Sequence, residues 1–457
     1  MTLLSAKKIH FIGVSGIGTS AIAKWALENH KQVSGSDLTL QPTSKWLIEN
    51  GANISIGEHK EVNLPSDSDL VIYSNAIPET NPELLQAKKL KIPAVSYPQS
   101  IGELMVGKKG IAIAGTHGKS TTTAILAQIL IEAKKDPTVI VGTRLGIFGN
   151  TNERVGKGED LLVEADEYKR AFLDYRPTVA AILNIELDHV DVYKDEASIL
   201  EAFKKFAGKL PISGSLILNA QDKNFSDIKK STQAEVLSFG FENTDIMAFE
   251  VNTGKEGVNF KVKGLYNGTI ETKIFGQHNV LNILAALAIA YVMKIDFQIA
   301  KAAVEKFPGS WRRFEKKGEW QDATVIDDYA HHPTELKATL LAARQAYPGK
   351  RVVCVFQPHQ KIRTKQFFKE FVETLKLADL NIIPEIYQVA GREENIKISS
   401  KEIVEKLGNG VYYAKDVADS VEIAKKIIKP GDVILTVGAG DITNFYQLAK
   451  KIKPLVF

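Results

Sequence analysis

Ala114-Gly115-Thr116-His117-Gly118-Lys119-Ser120-Thr121-Thr122-Thr123 lies between an apolar run, Gly110 to Ala114, and a helix-forming run, Thr121 to Ala133. A glycine-rich loop between a strand and a helix is the setting of a phosphate site. Its backbone N–H groups close around phosphate oxygens, and the helix N-terminus adds partial positive charge. Lys119 can reach the β- and γ-phosphates of a nucleotide, and Ser120 can ligate Mg²⁺. The strict pattern has a glycine where this chain has Ile113, so the loop is a shortened variant. The plainer alternative is a glycine turn carrying a surface lysine.

Outward from the loop, strand-like and helix-like runs alternate, which predicts parallel sheets. Before it come Ile9 to Gly13, a run around Val33 ending at Ser36-Asp37, and Asp69 to Ser74 leading into Asn75-Ala76. After it come Leu161 to Glu164 and Val179 to Asn184, then short alternating runs with glycine and asparagine turns from Ala234 to Phe275. Those short runs predict an antiparallel meander, followed by a helix over Val280 to Met293. The pattern restarts at Thr324 to Asp327, with a helix after Pro333 and strands at Arg351–Gln357, Leu380–Pro384 and Val433–Val437. The expected fold is α/β in three domains. These are a Rossmann-like N-terminal domain (1–107), a P-loop ATPase-like central domain (108–315) and a Rossmann-like C-terminal domain (316–457).

Composition narrows the function. In 457 residues, 58 basic and 54 acidic side chains leave a net charge of +4, with no basic stripe, so no nucleic-acid partner is expected. The single cysteine, Cys354, sits in the apolar run Val352–Phe356 and reads as a buried strand residue. Met1 to Lys8 lacks the apolar core of a signal peptide, and no run is long enough to span a bilayer. The expectation is a cytoplasmic protein that makes no membrane contact.

Other motifs stand at predicted strand ends, where open parallel sheets bind ligands. Glu164-Ala165-Asp166-Glu167 and Asp188-His189 supply carboxylates and imidazole suited to a divalent metal, or to ion pairs and caps. Asn279 and Asn282 open a helix, where Asn279 reads equally as a cap. Arg312-Arg313 is a surface pair or a reach toward phosphates. Asp327-Asp328-Tyr329-Ala330-His331-His332-Pro333-Thr334-Glu335 reads as substrate and ribose contacts, because adjacent loop histidines rarely converge on one ion. His359 and Arg363 follow a strand and would face a cleft between domains. The opening loop, with Gly13, Gly16 and Gly18, departs from dinucleotide-fingerprint spacing yet remains a good diphosphate site.

In chain order these motifs resemble the Mur ligases of peptidoglycan synthesis over essentially the full length. The matching residues are Gly115 to Thr121, Glu164 to Glu167, Asp188-His189, His278-Asn279 with Asn282, Arg313 with Glu315, and Asp328 to His331 with Pro333. Within the family the chain is most similar to members that attach L-alanine to UDP-N-acetylmuramate. That likeness lies in the first glycine loop, Ser36-Asp37-Leu38, Asp327 to Thr334, and Phe356 to His359 with Arg363-Thr364. Members that attach L-alanyl-γ-D-glutamyl-diaminopimelate share the first three features and typically lack the block at His359. Tyr168 is a feature of those tripeptide members, and Gln360 stands where alanine members usually carry arginine.

The resemblance implies ATP-dependent, Mg²⁺-dependent amide-bond formation. It implies ATP contacts at Gly115, Thr116, His117, Gly118, Lys119, Ser120, Thr121, Asn279, Asn282, Arg313 and Asp328. Ser120, Glu164 and His189 would hold Mg²⁺. The UDP sugar would meet Gly16, Ile17, Gly18, Ser36, Asp37, Ser74, Asn75 and Ala76, and the acceptor or muramoyl end would meet His331, His359 and Arg363. Lys119, Glu164, His189, Arg313 and His331 would carry catalysis. The expected partners are small-molecule substrates, and the expected state is a monomer or weak homodimer. A nucleotide-binding protein without ligase activity and an NAD-dependent dehydrogenase are the readings from other classes; the first loop's spacing disfavours the second.

Overall fold

The computed structural model describes residues 1–388 and 396–452, and folds them around three sheets. The first sheet holds β1 (Lys8–Ile12), β2 (Gln32–Asp37), β3 (Asn53–Ile56), β4 (Leu70–Tyr73) and β5 (Ala94–Ser96), in the order β3-β2-β1-β4-β5. All its pairings are parallel. The strand order reverses between β1 and β4, and there a doubly wound sheet opens a crevice. The loop after β1 enters that crevice, with Gly13 at φ +73° packed against Ser74. The helix Ile17–Glu28 follows.

The central sheet contains β6 (Lys109–Ala114), β7 (Thr138–Leu145), β8 (Thr151–Arg154), β9 (Asp160–Glu164), β10 (Val179–Ile182), β11 (Ser215–Asn219), β12 (Glu235–Gly240), β13 (Ile246–Gly254), β14 (Gly257–Gly264) and β15 (Gly268–Thr272). Its order is β15-β14-β13-β12-β11-β10-β6-β9-β7-β8. β6 is thus flanked by β10 and β9, so the loops ending all three strands converge. The helix Lys119–Glu132 packs on the helices Gln277–Val292 and Phe297–Lys306. The expected meander needs a correction. β13, β14 and β15 are antiparallel, but β12 continues the parallel sheet from β11. A short strand's hydrophobic pattern does not record whether its neighbour runs parallel or antiparallel, which is why the sequence pattern misassigned it.

The third sheet has β16 (Glu315–Trp320), β17 (Ala323–Asp328), β18 (Val352–Phe356), β19 (Leu380–Pro384), β20 (Val411–Ala414) and β21 (Val433–Val437), in the order β16-β17-β21-β18-β19-β20. Only the β16–β17 pair is antiparallel. Cys354 is fully buried in β18.

The arginine pair at the start of this unit divides its labour. Arg312 is 1% exposed; its Nε donates to Asp327 at 3.0 Å and its Nη2 to the carbonyl of Gly438. Asp327 also accepts from Thr436 and Thr443. The surface reading of this arginine is therefore wrong, because its charge is neutralised inside the third domain. Removing one partner of a buried pair leaves the other charge uncompensated. Arg312→Ala should cost about 3–5 kcal/mol of stability in urea unfolding, whereas Arg313→Ala should change stability by under about 1 kcal/mol.

Candidate active site

The phosphate loop is shaped by Asn184 at the end of β10, whose side chain accepts from His117 N at 2.8 Å and donates to His117 O at 3.0 Å. Gly118 has φ +85°, and a Cβ there would collide with Asn282 Oδ1. That glycine is therefore required by both backbone and space. Lys119 Nζ donates to the carbonyl of Gly115 at 2.6 Å and to Glu167 at 2.8 Å. Burial works against the charge of Lys119, but Glu167, Asp166 and Glu164 outweigh it and hold the ammonium above the ordinary lysine range.

Two cavities meet at this loop, and Gly118, Arg313 and Glu335 line both. The smaller, about 250 Å³, lies over Asn279, Asn282, Phe239, Phe314 and Asp328. Asn279 is not a helix cap. Gly276 occupies the cap position, and the Asn279 amide donates to Phe275 O while accepting from Asn282. Asp328 accepts from Phe314 N and Ala330 N at 2.8 Å each, and burial pushes its carboxyl up to about 6.

The larger cavity, about 490 Å³, runs from Ile17-Gly18 past Lys119, Ser120, Glu164 and His189 to His331, His359 and Arg363. The Ser120 hydroxyl donates to Glu164 at 3.0 Å, and Glu164 also accepts from Gly142 N. His189 stands 3.4 Å from Glu167, in a cluster with Asp166. The proposed metal residues thus line one cavity as two neighbouring groups, Ser120 with Glu164 and His189 with Glu167. The Ser120 hydroxyl, the carboxylates of Glu164, Asp166 and Glu167, and the His189 imidazole make a donor set of hard oxygens and imidazole that fits a divalent cation.

The third domain reaches the loop through His117. Its Nε2 lies 2.9 Å from Glu186 and its Nδ1 3.0 Å from Glu335. Thr334 donates to Glu186 at 2.8 Å beside them. Burial opposes a charge on His117, but the two carboxylates dominate and raise it to about 9. His331, by contrast, is pushed down to about 4, chiefly by burial and also by Arg363. Arg313 lines both cavities and lies over the Tyr329 ring. Arg363 is 3% exposed and bound to Asp188 of the central domain at 2.9 Å.

On the first domain's side, Asp37 accepts from Ser15 N at 2.8 Å, and Asn75 O accepts from Lys169 of the central domain. Ser74 accepts from Ala76 N. Gly16 caps the first helix, and the Gly18 backbone lies directly against the Tyr97 ring. Ser36 departs from expectation. Its hydroxyl is fully buried and donates to Glu83 at 2.8 Å, in a cluster with His10 and His59, so it braces the sheet and does not face the crevice.

Sequence reasoning missed Asn184, Glu186 and Tyr97, and took Glu167 and Glu335 only as members of their motifs, without the partners found here. Glu335 carried a signal, since it stands as the acidic partner of a capping box behind Pro333. Tyr97 carried none. Among the described residues no helix is long and apolar enough to cross a membrane.

Comparison with known proteins bears on all three units. Residues 8–109 match the Mur ligase family catalytic domain, 113–290 the Mur ligase middle domain, and 312–440 the Mur ligase glutamate ligase domain. The chain is 42% identical to a UDP-N-acetylmuramate–L-alanine ligase of Sulfurihydrogenibium sp. (strain YO3AOP1), covering 97% of both chains. It is 40% identical to one from Aquifex aeolicus, covering 96% of both. Among solved structures, the UDP-N-acetylmuramate-alanine ligase of Thermotoga maritima superposes with TM-score 0.80 at 28% identity, covering 97% of both chains. A murein peptide ligase from Psychrobacter arcticus gives 0.72 at 25% identity, covering 98% of this chain and 99% of its own.

The His117 bridge has a pH signature. A histidine raised from 6.5 to about 9 adds stability that is complete below pH 6.5 and is lost as pH rises through 9. The hydrogen-exchange protection factor at the N-terminus of the helix Pro333–Ala346, the rate taken relative to the intrinsic base-catalysed rate at each pH, should therefore fall between those limits in the ligand-free protein. His117→Gln should abolish the pH dependence; a dependence that persists would place its origin elsewhere.

Proposed function

The chain belongs to the Mur ligase family, and from that premise we propose that it joins L-alanine to UDP-N-acetylmuramate at the expense of ATP, in peptidoglycan precursor synthesis. The observation that carries this reading is the single cavity lined in sequence by Ile17-Gly18, the phosphate loop, the acidic cluster and the His359–Arg363 block. The likeness to L-alanine ligases along nearly the whole chain supports the choice of acceptor. We take 1–107, 108–315 and 316–457 as the functional units for the UDP sugar, ATP and closure.

A carboxylate is a poor electrophile, so it must first acquire a leaving group. The muramoyl carboxylate oxygen attacks the γ-phosphorus, the bond to ADP breaks, and an acyl phosphate forms. The amine of L-alanine then attacks the acyl carbon and loses a proton, and phosphate departs. Lys119, freed from the Gly115 carbonyl, and Arg313 would face the phosphates as negative charge shifts between them. Asn279, Asn282 and Asp328 would meet the base and ribose in the smaller cavity. Ser120, Glu164 and His189 would hold Mg²⁺, which supplies charge neutralisation at the phosphates when bound. His331 stays uncharged at neutral pH, so it does not repel the arriving amine. Tyr168, shared with tripeptide members, packs against His189 with ring centres 5.0 Å apart.

Lys119→Ala should leave the fold intact and lower kcat by about 10³-fold or more, since several kcal/mol of transition-state stabilisation are removed; near-normal turnover in a folded variant would reject the loop assignment. The acceptor is tested by kcat/KM with UDP-N-acetylmuramate. L-alanine should exceed glycine by roughly 1–3 kcal/mol of discrimination and exceed L-alanyl-γ-D-glutamyl-diaminopimelate by more. A higher value for the tripeptide would make this a recycling ligase with the same ATP chemistry.

A further inference from the structure

We infer that Asp188 is a positioning residue for the acceptor, holding Arg363 across the domain boundary so that one edge of the guanidinium is left for the amino acid's α-carboxylate. This rests on the reading of the His359–Arg363 block as the acceptor end. Asp188 and His189 are neighbours in sequence, and as a pair they suggest two ligands to one metal. The backbone separates them. His189 has φ +49°, a left-handed conformation uncommon for a residue with a Cβ. His189 turns toward Glu167, while Asp188 turns toward the third domain. Such local strain collects where a side chain must be aimed.

Arg363 lies in the short helix Lys361–Gln366 beyond β18. Its Nε donates to Asp188 Oδ1 at 2.9 Å and its Nη2 lies 2.9 Å from the same oxygen, with the two side chains 4% and 6% exposed. The third nitrogen is held differently. Nη1 contacts His359 Nδ1 at 3.2 Å, and His359 O and Gln360 Oε1 at 3.4 Å each. These partners are longer and uncharged, so a carboxylate entering the cavity can replace them with a shorter, charge-assisted bond. Gln360 has φ +67°, which keeps its amide in this arrangement.

Each half of the device belongs to a different domain. Apart, both charges are in water; together, each removes the other's cost of burial. A lysine could not serve, because its ammonium lacks the fork that spans two carboxylates.

The test is steady-state kinetics on the full chain with Asp188→Asn, Arg363→Ala and the double variant. Asp188→Asn should raise KM for L-alanine about tenfold or more, the loss expected for a bond to a charged group. KM for ATP and for UDP-N-acetylmuramate, and half-saturation by Mg²⁺, should stay within about twofold. The double variant should be no worse than Arg363→Ala alone. Added guanidinium ion should partly restore Arg363→Ala but not the double variant, because Asp188 supplies the seat. Should Asp188→Asn fail to fold, Arg363→Lys takes its place, with the same KM split expected. Equal losses in all three KM values, a shifted Mg²⁺ requirement, or additive losses would overturn the inference. Should the parent chain prefer the tripeptide, the acceptor reading fails, and the same split measured with the tripeptide still decides the role of Asp188.

Discussion

His117 binds a carboxylate through each ring nitrogen, Glu186 from the central domain and Glu335 from the third. Its place in the phosphate loop makes it the joint on which the assembled site depends. A neutral imidazole could donate from only one nitrogen, so the full bridge requires the charged form. Glu186 is held down to about 2, burial opposing and His117 prevailing, which keeps the opposite charge in place. The loop that would grip ATP and the contact that brings the third domain over it are thus the same few atoms.

The rest of the cavity follows one electrostatic plan. Cations and carboxylates come from different strand ends and neutralise each other across gaps that the substrates would enter. Lys119 faces Glu167 and Arg363 faces Asp188, while the uncharged Ser120 hydroxyl donates to Glu164. The first domain is tied on separately, where Asn152 donates to Ile17 O at 2.9 Å and Lys24 meets Glu153 at 3.0 Å. Those links run through the β7–β8 hairpin, so the loop after β1 is referenced to the central sheet and not to the third domain.

Much of this was legible in the sequence. Buried parallel strands are near-continuous apolar runs, so β1, β6, β18 and β21 announced themselves and fixed three α/β units. The phosphate loop announced itself through glycines whose positions the backbone demands. What escaped were relations between distant residues. Nothing in Arg312-Arg313 tells which guanidinium is buried against Asp327 and which lines the cavities. Nothing in Asp188-His189 reveals the left-handed turn that sends the two side chains to different domains. The Ser36 hydroxyl looked available because its partner, Glu83, lies on a helix far along the chain. Short-range pattern carries direction along one element; partners contributed by another element leave no local mark.

The contact between Gly118 and Asn282 extends to the history of such a chain. The asparagine amide occupies the volume that any side chain at 118 would fill, so a change at 118 has to wait on a smaller residue at 282. A lineage that shortened the side chain at 282 would relax the demand at 118 only for space, while the left-handed backbone would still favour glycine. The two positions therefore evolve as one character with unequal halves. One can change only after the other, and the order is set by the geometry of the loop.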